Sequence, residues 1–144
     1  MNSSVRVILD IAFRSVALLV LSEGVAELYA AGNPTDDGLG TGLTVMFVLV
    51  VAAVSWGLLD GFRHGPLRLC VTWVSTGFVV ALASTIYHHL RFGEWSWSAL
   101  ASDLSSGLGF WAGLIFVPAI GFGIVQSASR HSSAGPVAGV RAGH

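Results

Sequence analysis

The chain contains no lysine and a single cysteine, and only 10% of its 144 residues are charged. Each shortage excludes something. One thiol, Cys70, rules out an intramolecular disulfide and any Cys-x-x-Cys motif. Seven arginines against eight acids leave a net charge of −1, so no basic surface is available for nucleic acid. A soluble domain carries about 25% charged residues. A small one exposes much of its surface to water, and this chain has too few charges to cover that surface. Disorder is excluded by the 53% hydrophobic content. With a mean hydropathy of +0.74, the class that remains is an all-α integral membrane protein. P-loop, HExxH, GxSxG and nucleotide fingerprints are all lacking, so no enzymatic activity, cofactor or metal is expected. The arginine-only basic set, with abundant alanine, glycine and valine, points to a GC-rich bacterial genome.

Charges in hydrocarbon cost about 2.5–3.5 kcal/mol each on insertion scales, so charge-free runs mark spans. Such runs lie between Asp37 and Asp60 (LTVMFVLVVAAVSWGLL), between Arg68 and Arg91, and between Asp103 and Arg130. Each is long enough for one helix across ~30 Å of hydrocarbon. The N-terminal segment is apolar but holds Arg6, Asp10, Arg14, Glu23 and Glu27. A cleaved signal peptide is one reading. Asp10 in the would-be basic region, and the lack of an A-x-A site, argue against it. The alternative is a polar first helix. Its Arg6, Asp10 and Arg14, spaced i, i+4, i+8, would pair along one ladder, and Arg14 would snorkel to the headgroups. The expected domain is residues 1–130, with spans near 9–31, 40–60, 68–90 and 104–127. A flexible cytoplasmic tail is expected over 131–144.

Arginine placement sets the orientation. Arg6, Arg14, Arg63, Arg68, Arg130 and Arg141 fall at the N-terminus, second loop and tail, whereas Asp36, Asp37, Glu94 and Asp103 face Arg91 alone in the other loops. Both termini are therefore expected inside a bacterial plasma membrane. Gly32-Asn33-Pro34 and Gly65-Pro66 supply breaks, and Trp95 and Trp97 are expected as interfacial anchors.

Small residues let helices approach closely in lipid. Helix two has Ala53, Gly57 and Gly61; helix three has Gly77, Ala81 and Thr85. Helix four has Ser105, Gly109 and Gly113, with Gly121 continuing the face. Packing within the chain explains any such stripe, but the last is the longest and is the candidate for a homodimer seam. Pro118 is expected to kink helix four.

Glu23 is the acid expected deepest in a span, where an ionisable residue marks a functional site. A carboxyl there suits exchange of a proton for a cation. A neutral, hydrogen-bonded acid at a helix contact is the alternative. Glu27, one turn further out, is expected to reach interfacial water. Adjacent His88 and His89 point about 100° apart and make a poor bidentate site. Asp60 either faces water or pairs with Arg63 or Arg68, and Cys70 is expected to be buried and inert.

Over residues 5–130 the chain resembles the bacterial four-transmembrane drug/metabolite transporter family, common in actinobacteria. The resemblance rests on a Trp-Gly-x-x-Asp-Gly element (Trp56, Gly57, Asp60, Gly61), a Thr-Trp pair (Thr72, Trp73) and an aromatic-apolar-Pro-Ala element (Phe116 to Ala119). The family's basic residue beside a first-helix glycine is not matched: Gly24 follows Ser22 and Glu23, and the nearest basic residue is Arg14. The resemblance implies the drug/metabolite transporter superfamily, whose smallest members work as dimers of four-helix subunits. It adds Trp56, Asp60 and Trp73 to Arg14, Glu23 and Glu27 as transport or proton-coupling candidates. The expected function is export of a small cationic or apolar compound. The alternative is a non-catalytic membrane subunit or scaffold of a larger envelope complex. A cavity reaching Glu23 favours the first; a dry bundle with small residues turned outward favours the second.

Overall fold

Breakers divide the apolar segments where backbone chemistry requires it. The computed structural model describes residues 3–36, 38–91 and 96–133. The described residues form four α-helices and no strand: α1 (Ser3–Gly32), α2 (Leu39–Gly61), α3 (Pro66–Arg91) and α4 (Trp97–Ser133). Gly38 precedes α2 with a φ of 92°, a left-handed conformation that glycine alone adopts without strain. Asp36 reaches over it. Its carboxylate accepts the backbone N–H groups of Gly40 (3.2 Å) and Thr41 (2.9 Å) and the Thr41 hydroxyl (2.7 Å). Donors that a helix start leaves orphaned are thereby satisfied. Between α2 and α3 the amides of Arg63 and His64 both donate to Asp60 O at 2.9 Å. Pro66 then opens α3, where its missing N–H is no loss.

Helices α2, α3 and the Trp97–Gln126 part of α4 are long and apolar enough to cross a membrane. Helix α1 is as long, at 30 residues, but it carries five charged residues, more than any other helix. The helices overrun the expected spans. α4 starts at Trp97, well before residue 104, and continues to Ser133, so the tail expected from 131 begins as helix. Its 37 residues run to ~55 Å at 1.5 Å per residue. Pro118 lies inside this unbroken run. Asp37, Gly93, Glu94, Trp95 and the rest of the tail, with Arg141, lie outside the described residues; Trp97 is exposed.

Helix α1 packs on α2 and α3, and so does α4 from the opposite side; α1 and α4 do not meet, and α2 and α3 touch narrowly. The order around the bundle is thus α1, α2, α4, α3. We call the end holding the start of α1 and the α2–α3 turn basal, and the opposite end apical. All four helices feed one core: Leu18, Leu49, Ala53, Leu69, Trp73, Val80, Ile115 and Ala119. The outer surface is also apolar, with Phe13, Phe47, Leu28, Leu67 and Val125 all more than 60% exposed. Buried Arg14, Asp60, Thr72 and Thr76 beside that core, under an apolar outer surface, are compatible with a protein solvated by lipid.

Close approach uses the glycines of α2. A Cβ on Gly57 would overlap the backbone of Ala119, and one on Gly61 the backbone of Gly123. Gly77 of α3 meets Ala112 in the same way. The inward row of α4 is therefore Ala112, Ile115, Ala119 and Gly123. The Ser105, Gly109, Gly113, Gly121 stripe lies on another face: a Cβ at any of its three glycines would meet nothing within 4 Å. Its glycines meet nothing else among the described residues.

Candidate functional site

Two clusters carry the polar chemistry, one at each end of α1. At the basal end, Arg14 Nη2 donates to Asp60 Oδ1 at 2.9 Å, and each side chain is only 7% exposed. Trp73 Nε1 donates to the other carboxylate oxygen, Oδ2, at 2.9 Å. The guanidinium lies 5.5 Å from the Trp73 ring and 6.0 Å from Trp56, within cation–π reach of both. Trp56 sets its edge against Trp73, and Phe13 against Trp56. Asp60 closes α2, where the carbonyl-rich helix end disfavours a carboxylate. The arginine and the indole N–H supply what that position lacks. His64 stands one turn on, its Nδ1 3.8 Å from Asp60 Oδ1, beyond hydrogen-bond length. Burial, then the nearby Arg68 charge, hold His64 below the ordinary histidine pKa. Arg14 Nε and Ser15 Oγ are buried with no hydrogen-bond partner among the described residues.

This geometry corrects several expectations. Arg14 does not pair along a ladder with Arg6 and Asp10, nor does it snorkel: it turns inward to Asp60, because the Trp56–Trp73 pocket lies on that side. Asp10 pairs with Arg68 of α3 instead, at 3.4 Å. Asp60 neither faces water nor pairs with Arg63 or Arg68. Cys70 is half-buried.

At the apical end α1 is held to α3. Glu27 pairs with Arg91, whose Nη1 also donates to the Tyr87 hydroxyl. Glu23 Oε1 stands 3.7 Å from His88 Nε2, and its side chain is 24% exposed. His89 turns the other way, to Asp103 of α4 at 3.0 Å, so the two histidines serve different helices. Glu23 is less enclosed than its sequence position implies, because it borders a cavity of about 460 Å³ shared by all four helices. Leu49, Val80 and Ile115 form the apolar depth of that cavity, and Glu23, Asp36 and His88 line it with them. Asp36 is committed to the start of α2, and the Thr41 hydroxyl holds its carboxyl below the usual range.

Sequence reasoning singled out Arg14, Trp56, Asp60 and Trp73, and the structure brings them together; Glu23 and Glu27 lie apart, at the other end. It missed His64 and the cavity residues Ser84 and Trp111, and took Thr85 for a packing residue only. His64 had a signal, being i+4 from Asp60 across a turn. Pro118, Gly109 and Gly113 line only a shallow apolar groove on the outer face of α4. Comparison of the chain with protein-family models, curated proteins and solved structures finds no match.

Proposed function

We propose that the chain is a small multipass transporter of the drug/metabolite type, with α1 as a fourth span and both termini inside a bacterial plasma membrane. It exports a small cationic or apolar compound, coupled to protons through Glu23. The observation that carries this reading is the cavity, which lies among the four helices and reaches Glu23. Its volume lies within the ~300–1,000 Å³ of ligand pockets. With Asp36 engaged by α2, Glu23 is the cavity carboxylate left to bind a cation or a proton. Charged, it holds the cationic group against an apolar wall; protonated, it releases it. The Arg14–Asp60–Trp73 clasp closes the opposite end, as alternating access requires of one gate at a time.

Vesicles holding the purified protein should accumulate a lipophilic cation such as ethidium when a pH gradient is imposed. Glu23→Gln should lower that uptake at least tenfold. Uptake equal to that of empty vesicles, or unchanged in Glu23→Gln, overturns the reading. One observation favours the second reading, a non-catalytic subunit or scaffold of a larger envelope complex: the Gly109 and Gly113 face of α4 is turned outward and unoccupied by described residues. Recovery of an intact larger complex that needs these glycines, together with absent uptake, would establish it.

A further inference from the structure

Asp60 is the hub of the basal cluster, and its two oxygens are not equivalent. Oδ2 is held by Trp73 Nε1. Oδ1 is shared by Arg14 at 2.9 Å and, more distantly, by His64 at 3.8 Å. The turn keeps His64 near: its amide donates to Asp60 O at 2.9 Å, and its Nδ1 lies within 4 Å of the carboxylate. His64 is also the opening of the cluster, its side chain 21% exposed against 7% for Arg14 and Asp60. We propose that a proton taken up by His64 from the basal side draws Asp60 Oδ1 away from Arg14 and so unlocks α1 from α2.

The charges around the ring support this. Asp10 and Arg14 face it from α1, Asp60 from α2 and Arg68 from α3; Arg63, in the same turn, is exposed. The charged side chain described on α4, Asp103, is at the apical end with His89. With His64 neutral, two arginines balance two carboxylates. A proton on His64 leaves the cluster one positive charge in excess, and the excess falls beside Arg14 and Asp60, whose side chains are 7% exposed and so weakly screened. It also creates a donor whose nearby acceptor is the oxygen Arg14 uses. Burial and Arg68 lower the proton affinity of His64 in the closed cluster. By linkage, protonation then favours an arrangement in which the His64 ring is better solvated and further from Arg68. As regulation of transport this rests on the reading above; as a switch it is measurable without any substrate.

Ser15, beside Arg14 and 2% exposed, reports the opening. In full-length protein carrying Cys70→Ser and Ser15→Cys, alkylation by a small water-soluble maleimide is compared with and without His64→Gln. Comparison at one pH cancels the thiol's own titration. At pH 8 the two rates should agree. At pH 5.5 the protein with His64 should react at least fivefold faster. His64→Arg, a permanent cation, should react fast at both. Equal rates with and without His64 at both values, or a slow His64→Arg, overturns the proposal. Acid-accelerated labelling without ethidium uptake leaves the switch standing and removes only the transporter. Uptake with pH-independent labelling removes only the switch.

Discussion

The two ends of α1 carry the same kinds of side chain and treat them in opposite ways. At the basal end a guanidinium and a carboxylate are shut away, 7% exposed each, with an indole on the second oxygen. At the apical end Glu27 and Arg91 meet with side chains 58% and 42% exposed, and Glu23 lines an open cavity. The difference teaches that the neighbouring helices, not the residue type, decide whether a charge is structural or available. α2 and α3 bring Trp56, Trp73 and Asp60 to Arg14. To the cavity that Glu23 borders they bring small, apolar and hydroxyl residues, and His88 at 3.7 Å from its carboxylate.

The largest test breaks the basal side. Removing one member of a buried ion pair leaves the other unpaired and costs about 3–5 kcal/mol. Asp60→Ala should therefore lower the unfolding free energy in detergent by about that much, and Arg14→Ala by a similar amount. The pair Arg14→Met with Asp60→Leu should recover most of the loss, since well-packed apolar groups often replace such a pair without harm. A double variant as unstable as the singles would show that the Trp73 hydrogen bond, not the charge pair, carries the clasp.

A second test compares two glycine faces. Gly57→Ala drives a Cβ into the Ala119 backbone, which has no flexible end to yield. Overpacking of this kind costs about 1–3 kcal/mol. Gly113→Ala meets open space and should lie within ~0.5 kcal/mol of the parent, as surface changes do. If Gly113→Ala instead changes the oligomer size seen by light scattering, the outward face of α4 is an interface.

How much of this was legible in the sequence follows from the same contrast. The helices were readable because charge-free runs of membrane length and Gly/Pro breaks are local signals. Their ends were not, because α4 extends past the apolar run where polar residues still form helix at either end. The basal residues were legible one at a time; their meeting was not. The i, i+4, i+8 spacing of Arg6, Asp10 and Arg14 is a local pattern, and local patterns propose local partners. Asp60 lies 46 positions from Arg14, and nothing in spacing alone selects Arg14 over Arg63 or Arg68 as its partner. The glycine stripes show the same limit: spacing marks faces that can pack, and the fold uses those of α2 and α3 within the chain while the α4 stripe, the candidate dimer seam, faces outward.

The pH dependence of stability probes the basal edge more gently. The folded-state pKa of His64 is lowered by burial and Arg68. Above the unfolded value of about 6.5 both states are neutral and stability is full. As pH falls through that value toward the lowered folded one, the unfolded state gains its proton first, and stability falls. Below both values it levels off. Thermal unfolding should thus show a loss on acidification from pH 7 to 5 that His64→Gln reduces.

The smallest effect is expected at the apical rim, where the comparison is sharpest. Glu27 and Arg91 are exposed, so water and ions screen their attraction and holding two long side chains together loses entropy. Glu27→Gln should leave the unfolding midpoint unchanged, and raising the salt concentration should do no more to the parent protein. Glu23→Gln should be equally silent in unfolding, because its carboxylate borders a cavity and stands 3.7 Å from His88. It should still abolish proton-coupled uptake. A carboxylate whose loss stabilises nothing and destabilises nothing, yet stops exchange, is held for a ligand. If Glu23→Gln unfolds the protein as Asp60→Ala does, the two ends are alike after all, and the cavity is a gap in a structural bundle.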